Sequence, residues 1–539
     1  MISFMKKFSF VKIIVSSTLV FIVWFLPAVI FAQQTARGTV YLDSNGNGQR
    51  DPGEKGIPEV PVSNGRDVEL TDESGQYALS IDEDGGTIFV IKPAGYKLPV
   101  NHHNLPQFYY IHKPEGSPDL NHEGVDQTGP LPDSINFALQ EGEKENSFRA
   151  LLFGDPQPRN KKEIGYFKKD IVEGLRNSEK YKFGITLGDI VYNKLGLFDY
   201  HNQTVAEIGL PWYNVIGNHD LNFDAEMDKH SDETFEATYG PPTFSFNYGN
   251  AHFILLDDVI YPSEEGVRNY IGGFTDKQLE FIKNDLEHVP TDHLVVIAFH
   301  IPLHLEEGYF REKDRRRLLD MLEDYPHNLS LSAHRHQQEF HFLDSKYGWE
   351  GAKPHIHYVV GTSGGDWWSG EPDKRGVPRT LMRDGTPNGY AVLNVENDQF
   401  TFDYKAANYP KDFKMRIWGP DDKMPSPYAG DGNQLFVNYF LGTDSTRVEY
   451  RINGRSSKWM TMQQVYKKDP FVLLHRNMWS EYGRLLKGRR PSNPIRSPHL
   501  WHTDLPDHLS AGKHTIEIRV TDMYDRSYRK NYTFTVEKK

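Results

Sequence analysis

The 539-residue chain contains no cysteine. Disulfides are therefore excluded, as is a lipid-bearing cysteine behind an export signal, and every domain must be held by its own apolar core. Internal repeats and low-complexity tracts are also missing, which excludes a solenoid or a tail-dominated chain. Basic residues are in the minority: 61 Lys and Arg stand against 74 Asp and Glu, a net charge of −13. That balance argues against a nucleic-acid backbone as partner, and none is expected. Only one long apolar run occurs, from Ile13 to Phe31.

That run follows Lys6, Lys7 and Lys12 and ends at Ala32 before the polar QQTARG. A positive start, an apolar stretch and a small residue before polar sequence predict an export signal over residues 1–32. The stretch is long for a signal, so an uncleaved anchor is the competing reading, and membrane contact is expected only in that case. Cleavage would take the net charge from −13 to −16. The expected location is periplasmic or secreted to the cell surface.

Three segments follow. Residues 33–141 contain short strand-like runs such as GTVYLD, DVELTD, QYALSI and TIFVIK between turns, which predicts a small β-sandwich. Residues 142–405 alternate strand-like runs with helical ones such as TDKQLEFIKNDLEHV, the pattern of an α/β domain. Residues 406–539 return to strands, with clean alternation in HTIEIRV and NYTFTVE, and predict a terminal β-domain.

In the middle segment five strand-like runs end on residues with metal-binding chemistry. FRALLFG delivers Asp155, FGITLG delivers Asp189 and WYNVIG delivers Asn218, His219 and Asp220. HLVVIAF delivers His300, and NLSLSA delivers His334 and His336. An Asp after one strand is ordinarily a turn former or helix cap. Five such ends together are different, because open α/β sheets gather their chemistry at the carboxyl edge. Carboxylates, an amide oxygen and imidazoles are the donors that two neighbouring borderline cations need.

The ordered series GD-x-Q, GD-x-x-Y, GNHD, a strand-end His and AHRH resembles the calcineurin-like metallophosphoesterase superfamily. The layout of the whole chain is similar to secreted bacterial members with an N-terminal sandwich and a C-terminal β-domain. The fold implied is a central β-sandwich flanked by helices between two all-β domains. The resemblance implies that Asp155, Asp189 and His336 hold one metal; Gln157 stands where many members carry a His and is a candidate further ligand through its amide oxygen. Asp189, Asn218, His300 and His334 would hold the other, with Asp189 as the bridge. The ions implied are divalent or mixed-valence Mn, Zn or Fe. His219 would act as general acid, oriented by Asp220, while a metal-bridging hydroxide attacks a phosphomonoester or phosphodiester. Tyr192 has the spacing of the phenolate ligand of purple acid phosphatases, or else packs beneath the loop. The acidic surface does not oppose a phosphorylated small molecule or phospholipid-type substrate, since bound cations dominate the field in a pocket.

Trp367 and Trp368 lie in the glycine-rich GTSGGDWWSGEPDKRG and are read as packing or as pocket walls. His304, Asp366, Arg375 and Arg383 are candidate contacts to substrate. The stretch DSNGNGQRDPGE places Asp43, Asn45, Asn47, Asp51 and Glu54 at the spacing of a calcium loop, here as a structural Ca²⁺ site or an ion-free turn. A catalytically silent surface-binding protein is the alternative to an enzyme; it would be expected to have lost metal ligands.

Overall fold

The computed structural model describes residues 34–82, 85–266, 268–304, 308–420, 433–454 and 458–537. The predicted export segment lies outside the described residues. Among those residues no helix is long and apolar enough to cross a membrane.

The central region is built on strands β1 (Ser147–Phe153), β2 (Phe183–Leu187), β3 (Trp212–Val215), β4 (Phe244–Tyr248), β5 (Ala251–Leu255), β6 (Leu294–Ala298), β7 (Asn328–Ser332), β8 (Glu339–Leu343), β9 (His355–Val359), β10 (Gly389–Glu396) and β11 (Gln399–Ala406). One sheet has the order β3-β2-β1-β10-β11 and the other β4-β5-β6-β7-β9-β8. Within them β1, β2 and β3 run parallel, as do β5, β6, β7 and β9, while β10 pairs antiparallel with β1 and β11, β4 with β5, and β8 with β9.

From Ala150 onward both faces of β1 are apolar, and the structure uses both. Phe148, Ala150 and Leu152 enter the core between the sheets; Leu151 and Phe153 face a second core with Phe167 and Ile171 at helix α1 (Lys161–Asp170). Between the sheets Phe183 meets Phe253 edge-on at 5.3 Å and Tyr213 stacks on Phe246 at 4.1 Å. Each buried ring contributes roughly 1.5–3 kcal/mol. Helices α2 (Phe198–Ala206), α3 (Glu233–Tyr239), α4 (Asp276–Leu286) and α5 (Glu312–Leu322) complete this region. The TDKQ stretch starts α4 with a capping box between Thr275 and Gln278.

Residues 34–141 form two four-stranded sheets. One edge strand, Tyr109–His112, arises from a Pro/His/Asn-rich stretch that carried no strand signal; it pairs with Gly86–Val90. These sheets dock on the central region through Phe89 against Phe281 at 5.6 Å and Phe108 against Phe244 at 4.8 Å. Beyond residue 414 lie two further four-stranded sheets, in which His514, Ile516, Ile518 and Val520 alternate inward as the sequence pattern requires. The β-domain also contains a helix that the strand pattern did not predict, α6 (Pro470–Tyr482). Asp469 caps it, accepting from Phe471 N at 2.7 Å, and Pro470 occupies the first turn, where its missing N–H costs nothing.

Candidate metal centre

The carboxyl ends of β1, β2, β3, β6 and β7 converge, bringing His336 Nε2 within 3.7 Å of Asp155 across 181 positions of sequence, and a cleft opens at this edge. Its volume is about 320 Å³, and Gln157, Asp189, Asn218, His219, His334 and His336 contribute to its walls. Close approach of these turns needs glycine. A Cβ on Gly188, itself at φ +82°, would lie 2.4 Å from His300 Nδ1, and one on Gly217 would lie 2.1 Å from Asp189 N. Asp155, Gln157, Asp189, Asn193, His334, His336, Trp367 and Trp368 are all non-glycine residues at positive φ, eight of the fifteen in the described chain. Left-handed backbone of this kind costs on the order of 1 kcal/mol per residue and persists where surrounding structure enforces it, commonly at functional sites.

Asp189 sits between two groups of donors. Its Oδ1 lies 3.3 Å from His300 Nε2 and accepts from His219 N at 2.8 Å; its Oδ2 accepts from Gln157 Nε2 at 2.6 Å. On the Oδ1 side, His300 Nε2 is 3.1 Å from Asn218 Oδ1 and 3.2 Å from His334 Nδ1. The ligand atoms of Asp189, His300 and His334 all lie within 4.8 Å of one another. On the other side, His336 Nε2 stands 3.7 Å from Asp155 Oδ1. Surrounding groups fix which imidazole nitrogens face inward. His300 Nδ1 donates to the Leu187 carbonyl at 2.8 Å and His336 Nδ1 to the Gly365 carbonyl at 3.0 Å, leaving each Nε2 lone pair aimed at the carboxylates. Asp258 holds the His300 backbone, accepting from His300 N at 3.0 Å and Ile301 N at 2.9 Å.

The electrostatics call for positive charge. Burial disfavours the His300 imidazolium, yet the nearby Asp189 and Asp155 outweigh it and raise its pKa to about 10. Burial, reinforced by the facing His300, pushes His334 well below its ordinary value. Burial likewise drives Asp155 well above the usual carboxylate range. A cation would let both facing imidazoles stay neutral and both carboxylates ionise. The donor set fits one on a second count: Gln157 Oε1 is buried without any hydrogen-bond partner, an orphaned acceptor of the kind a metal satisfies.

His219 lines the same cleft. Its ring stacks on Tyr192 at 4.5 Å, and its Nδ1 is hydrogen-bonded to Asn193 Oδ1. Burial lowers its pKa, opposed by the Asp189 charge. The expectation that Asp220 orients this ring is corrected: Asp220 is buried and accepts from the backbone N–H groups of Ile190, Val191 and Gly217 at 3.0–3.1 Å, bracing the two metal turns against each other. Asn193 is the ring's partner, four residues beyond Asp189 in a motif whose metal residues drew attention first.

The two tryptophans divide their roles. Trp367 lines the cleft, its ring 4.4 Å from that of His336. Trp368 is buried and donates through Nε1 to the Pro156 carbonyl at 3.0 Å, behind the Asp155 turn. Arg383 lines the cleft, whereas Arg375 is paired with Asp170 and Asp373 on another surface. Asp366 is buried, accepting from Ser369 Oγ and Ser492 N. The His304 ring packs on His341 of β8 and on Tyr347 and is not among the cleft residues. Arg268, Tyr309, Arg335 and Ile495 do line the cleft. Only Arg335, inside AHRH, could have been singled out from sequence; the others arrive from loops without a motif. In the loop at residues 43–54, Asp43 accepts from Gly46, Asn47 and Gly48 N–H groups, and Asn45 and Asn47 both donate to Asp51. Glu54 accepts from Ser44 N and Asp51 N, closing the loop.

Three family models match successive parts of the chain. The model for calcineurin-like phosphoesterase matches residues 148–338, that for the N terminal of calcineurin-like phosphoesterase residues 44–122, and that for the C terminal of calcineurin-like phosphoesterase residues 357–528. No curated protein matches the chain. Similar solved structures include a purple acid phosphatase from yellow lupin (Lupinus luteus) seeds, 13% identical over 66% of this chain and 69% of that one with a TM-score of 0.36. A cold-active protein-tyrosine phosphatase of the psychrophile Shewanella SP. is 11% identical over 64% of this chain and 98% of that one, with a TM-score of 0.22. With the phosphoesterase matches spanning all three parts in order, the chain belongs to the calcineurin-like phosphoesterases and is a metal-dependent hydrolase of phosphoric esters.

Proposed function

We propose that the protein is an exported phosphoesterase with two metal positions sharing Asp189. The observation that supports this reading is the division of the Asp189 carboxylate, Oδ1 toward His300 and Oδ2 toward Gln157. Asp155, Gln157 and His336 would complete one position and Asn218, His300 and His334 the other. Cations of Mn, Zn or Fe held there would supply Lewis-acid polarisation of the ester and would acidify a water for attack on phosphorus. The chain's own residues do the rest. His219, held by Asn193 and Tyr192, presents Nε2 to the cleft to protonate the departing oxygen. Arg268, Arg335 and Arg383, none in an ion pair among the described residues, supply the positive field that draws a phosphorylated small molecule or phospholipid-type substrate inward.

The test is elemental analysis of the protein with hydrolysis of p-nitrophenyl phosphate and bis-p-nitrophenyl phosphate. Two ions per chain and activity abolished by chelation are expected; one ion per chain at full activity overturns the shared-carboxylate reading. Export rests on residues 1–32. Periplasmic or secreted protein whose mass lacks that segment is expected, and a cytoplasmic, full-length product sinks it. A structural Ca²⁺ in the loop at residues 43–54 belongs to the same proposal, supported by its ligand spacing.

A further inference from the structure

Helix α6 and the chain after it are chemically unlike the rest of the molecule. Between Tyr466 and Arg496 there are eight Lys and Arg against two acids, a local charge of +6 on a chain of −13. Elsewhere in the same domain Arg451, Arg519 and Arg526 each pair with a carboxylate. None of the eight in this stretch joins an ion pair among the described residues. The same stretch exposes large apolar side chains. Tyr466 is 64% exposed, Tyr482 52% and Leu485 82%, the last the most exposed large hydrophobic of the described chain. Met478 joins them on the open side of α6, whose opposite side buries Val472 and Trp479.

This element also touches the catalytic cleft. Arg489 donates to the Trp367 carbonyl at 2.9 Å, its own carbonyl accepts from Gly370 N at 2.8 Å, Ser492 N donates to Asp366 at 2.6 Å, and Ile495 forms part of the cleft wall. Whatever binds α6 and residues 483–490 is thereby brought to the cleft mouth.

We infer that the exposed surface of α6 and residues 483–490 docks on an anionic phospholipid bilayer, with Leu485 and Tyr482 entering the headgroup region and Arg484, Lys487 and Arg490 meeting lipid phosphates. Unpaired cations around exposed aliphatic and aromatic tips are the composition of an interfacial anchor. A nucleic acid would use the charge but gain nothing from Leu485, and a neutral bilayer would use Leu485 but not the charge. The surface would hold the cleft against bilayer-borne phosphoesters, a consequence that rests on the phosphoesterase reading; the docking itself does not.

The lack of native cysteine makes the test local. Leu485→Cys in the full chain is labelled with an environment-sensitive fluorophore, with Leu70→Cys, on the far N-terminal sheet, as the control position. Vesicles of phosphatidylcholine containing phosphatidylglycerol should blue-shift the label at 485 and not at 70, and 0.5 M NaCl should reverse the shift. Pure phosphatidylcholine should leave it unchanged. Arg484→Gln with Lys487→Gln and Arg490→Gln should weaken the vesicle response about 100-fold, from about fivefold per basic residue near an anionic surface. Equal shifts on neutral and anionic vesicles overturn the inference, as does a response untouched by the triple substitution. A concentration-dependent shift without vesicles would mean that a second copy covers this face, and also overturns it.

Discussion

Replacing His219 by Ala isolates the proton donor from the metal residues. The substitution removes the imidazole but keeps the backbone N–H that binds Asp189 Oδ1 at 2.8 Å, so the carboxylate keeps its orientation. Tyr192 loses its stacking partner and Asn193 its hydrogen bond, neither of which reaches Asp155, His300 or His336. Metal content should therefore be unchanged. General-acid catalysis is worth roughly 10²–10⁴ in rate, about 3–5.5 kcal/mol, when the leaving group is a poor one. An alkyl phosphate should lose that much in kcat, whereas p-nitrophenyl phosphate, whose leaving oxygen needs no proton, should lose less than about tenfold. The assay is kcat across esters of graded leaving-group pKa, for native and variant protein, with metal measured in the same samples. Because burial lowers the His219 pKa, the native advantage on alkyl esters should decline as pH rises through a value below the ordinary 6.5. Equal losses for good and poor leaving groups would refute the assignment, and lost metal would show the variant to be a structural lesion instead.

Further outcomes follow from single contacts. Gly188→Ala would drive its Cβ against His300 Nδ1, so metal binding measured by calorimetry should weaken at least tenfold and the melting temperature fall; unchanged metal affinity contradicts the close approach. Trp368→Ala should cost about 3–5 kcal/mol in denaturant unfolding, whereas Trp367→Ala should act mainly on KM; the reverse pattern would exchange their roles. Lys92 is buried, its ammonium bonded to the Pro93 and Tyr96 carbonyls and lying over the Tyr248 ring, and burial lowers its pKa to about 7. The unfolded chain then binds more protons between about pH 7 and the unfolded lysine value, so stability should rise with pH over that window. Lys92→Met should flatten this rise and raise the melting temperature at pH 7; a steeper rise refutes it. Millimolar Ca²⁺ should raise the melting temperature of the intact protein through the loop at residues 43–54, and Asp43→Ala should abolish the increment; no increment retires the ion.

Much of the fold was legible because β1, β2 and β6 are largely apolar runs, which strands buried on both faces tolerate. The strand at Tyr109–His112 was not, since it draws its stability from pairing with Gly86–Val90 and from the Phe108–Phe244 contact, not from its own pattern. Helix α6 announced itself only in the Asp-Pro pair before it, and the strand-rich surroundings masked that cue.

The amino-acid sequence by itself determined which donors exist and on which strand ends they sit, because strand patterning is local and the acids and imidazoles follow it directly. It also determined that no disulfide assists the core. The tertiary structure alone decided how those donors pair: that Asp189 faces both groups, that Asp220 braces backbone instead of His219, that Trp367 opens to the cleft while Trp368 is buried, and that residues from α6 onward reach the same mouth. Such pairings are set by packing between segments far apart in the chain, and the few tenths of an ångström and tens of degrees that separate a ligand from a bystander have no counterpart in local sequence.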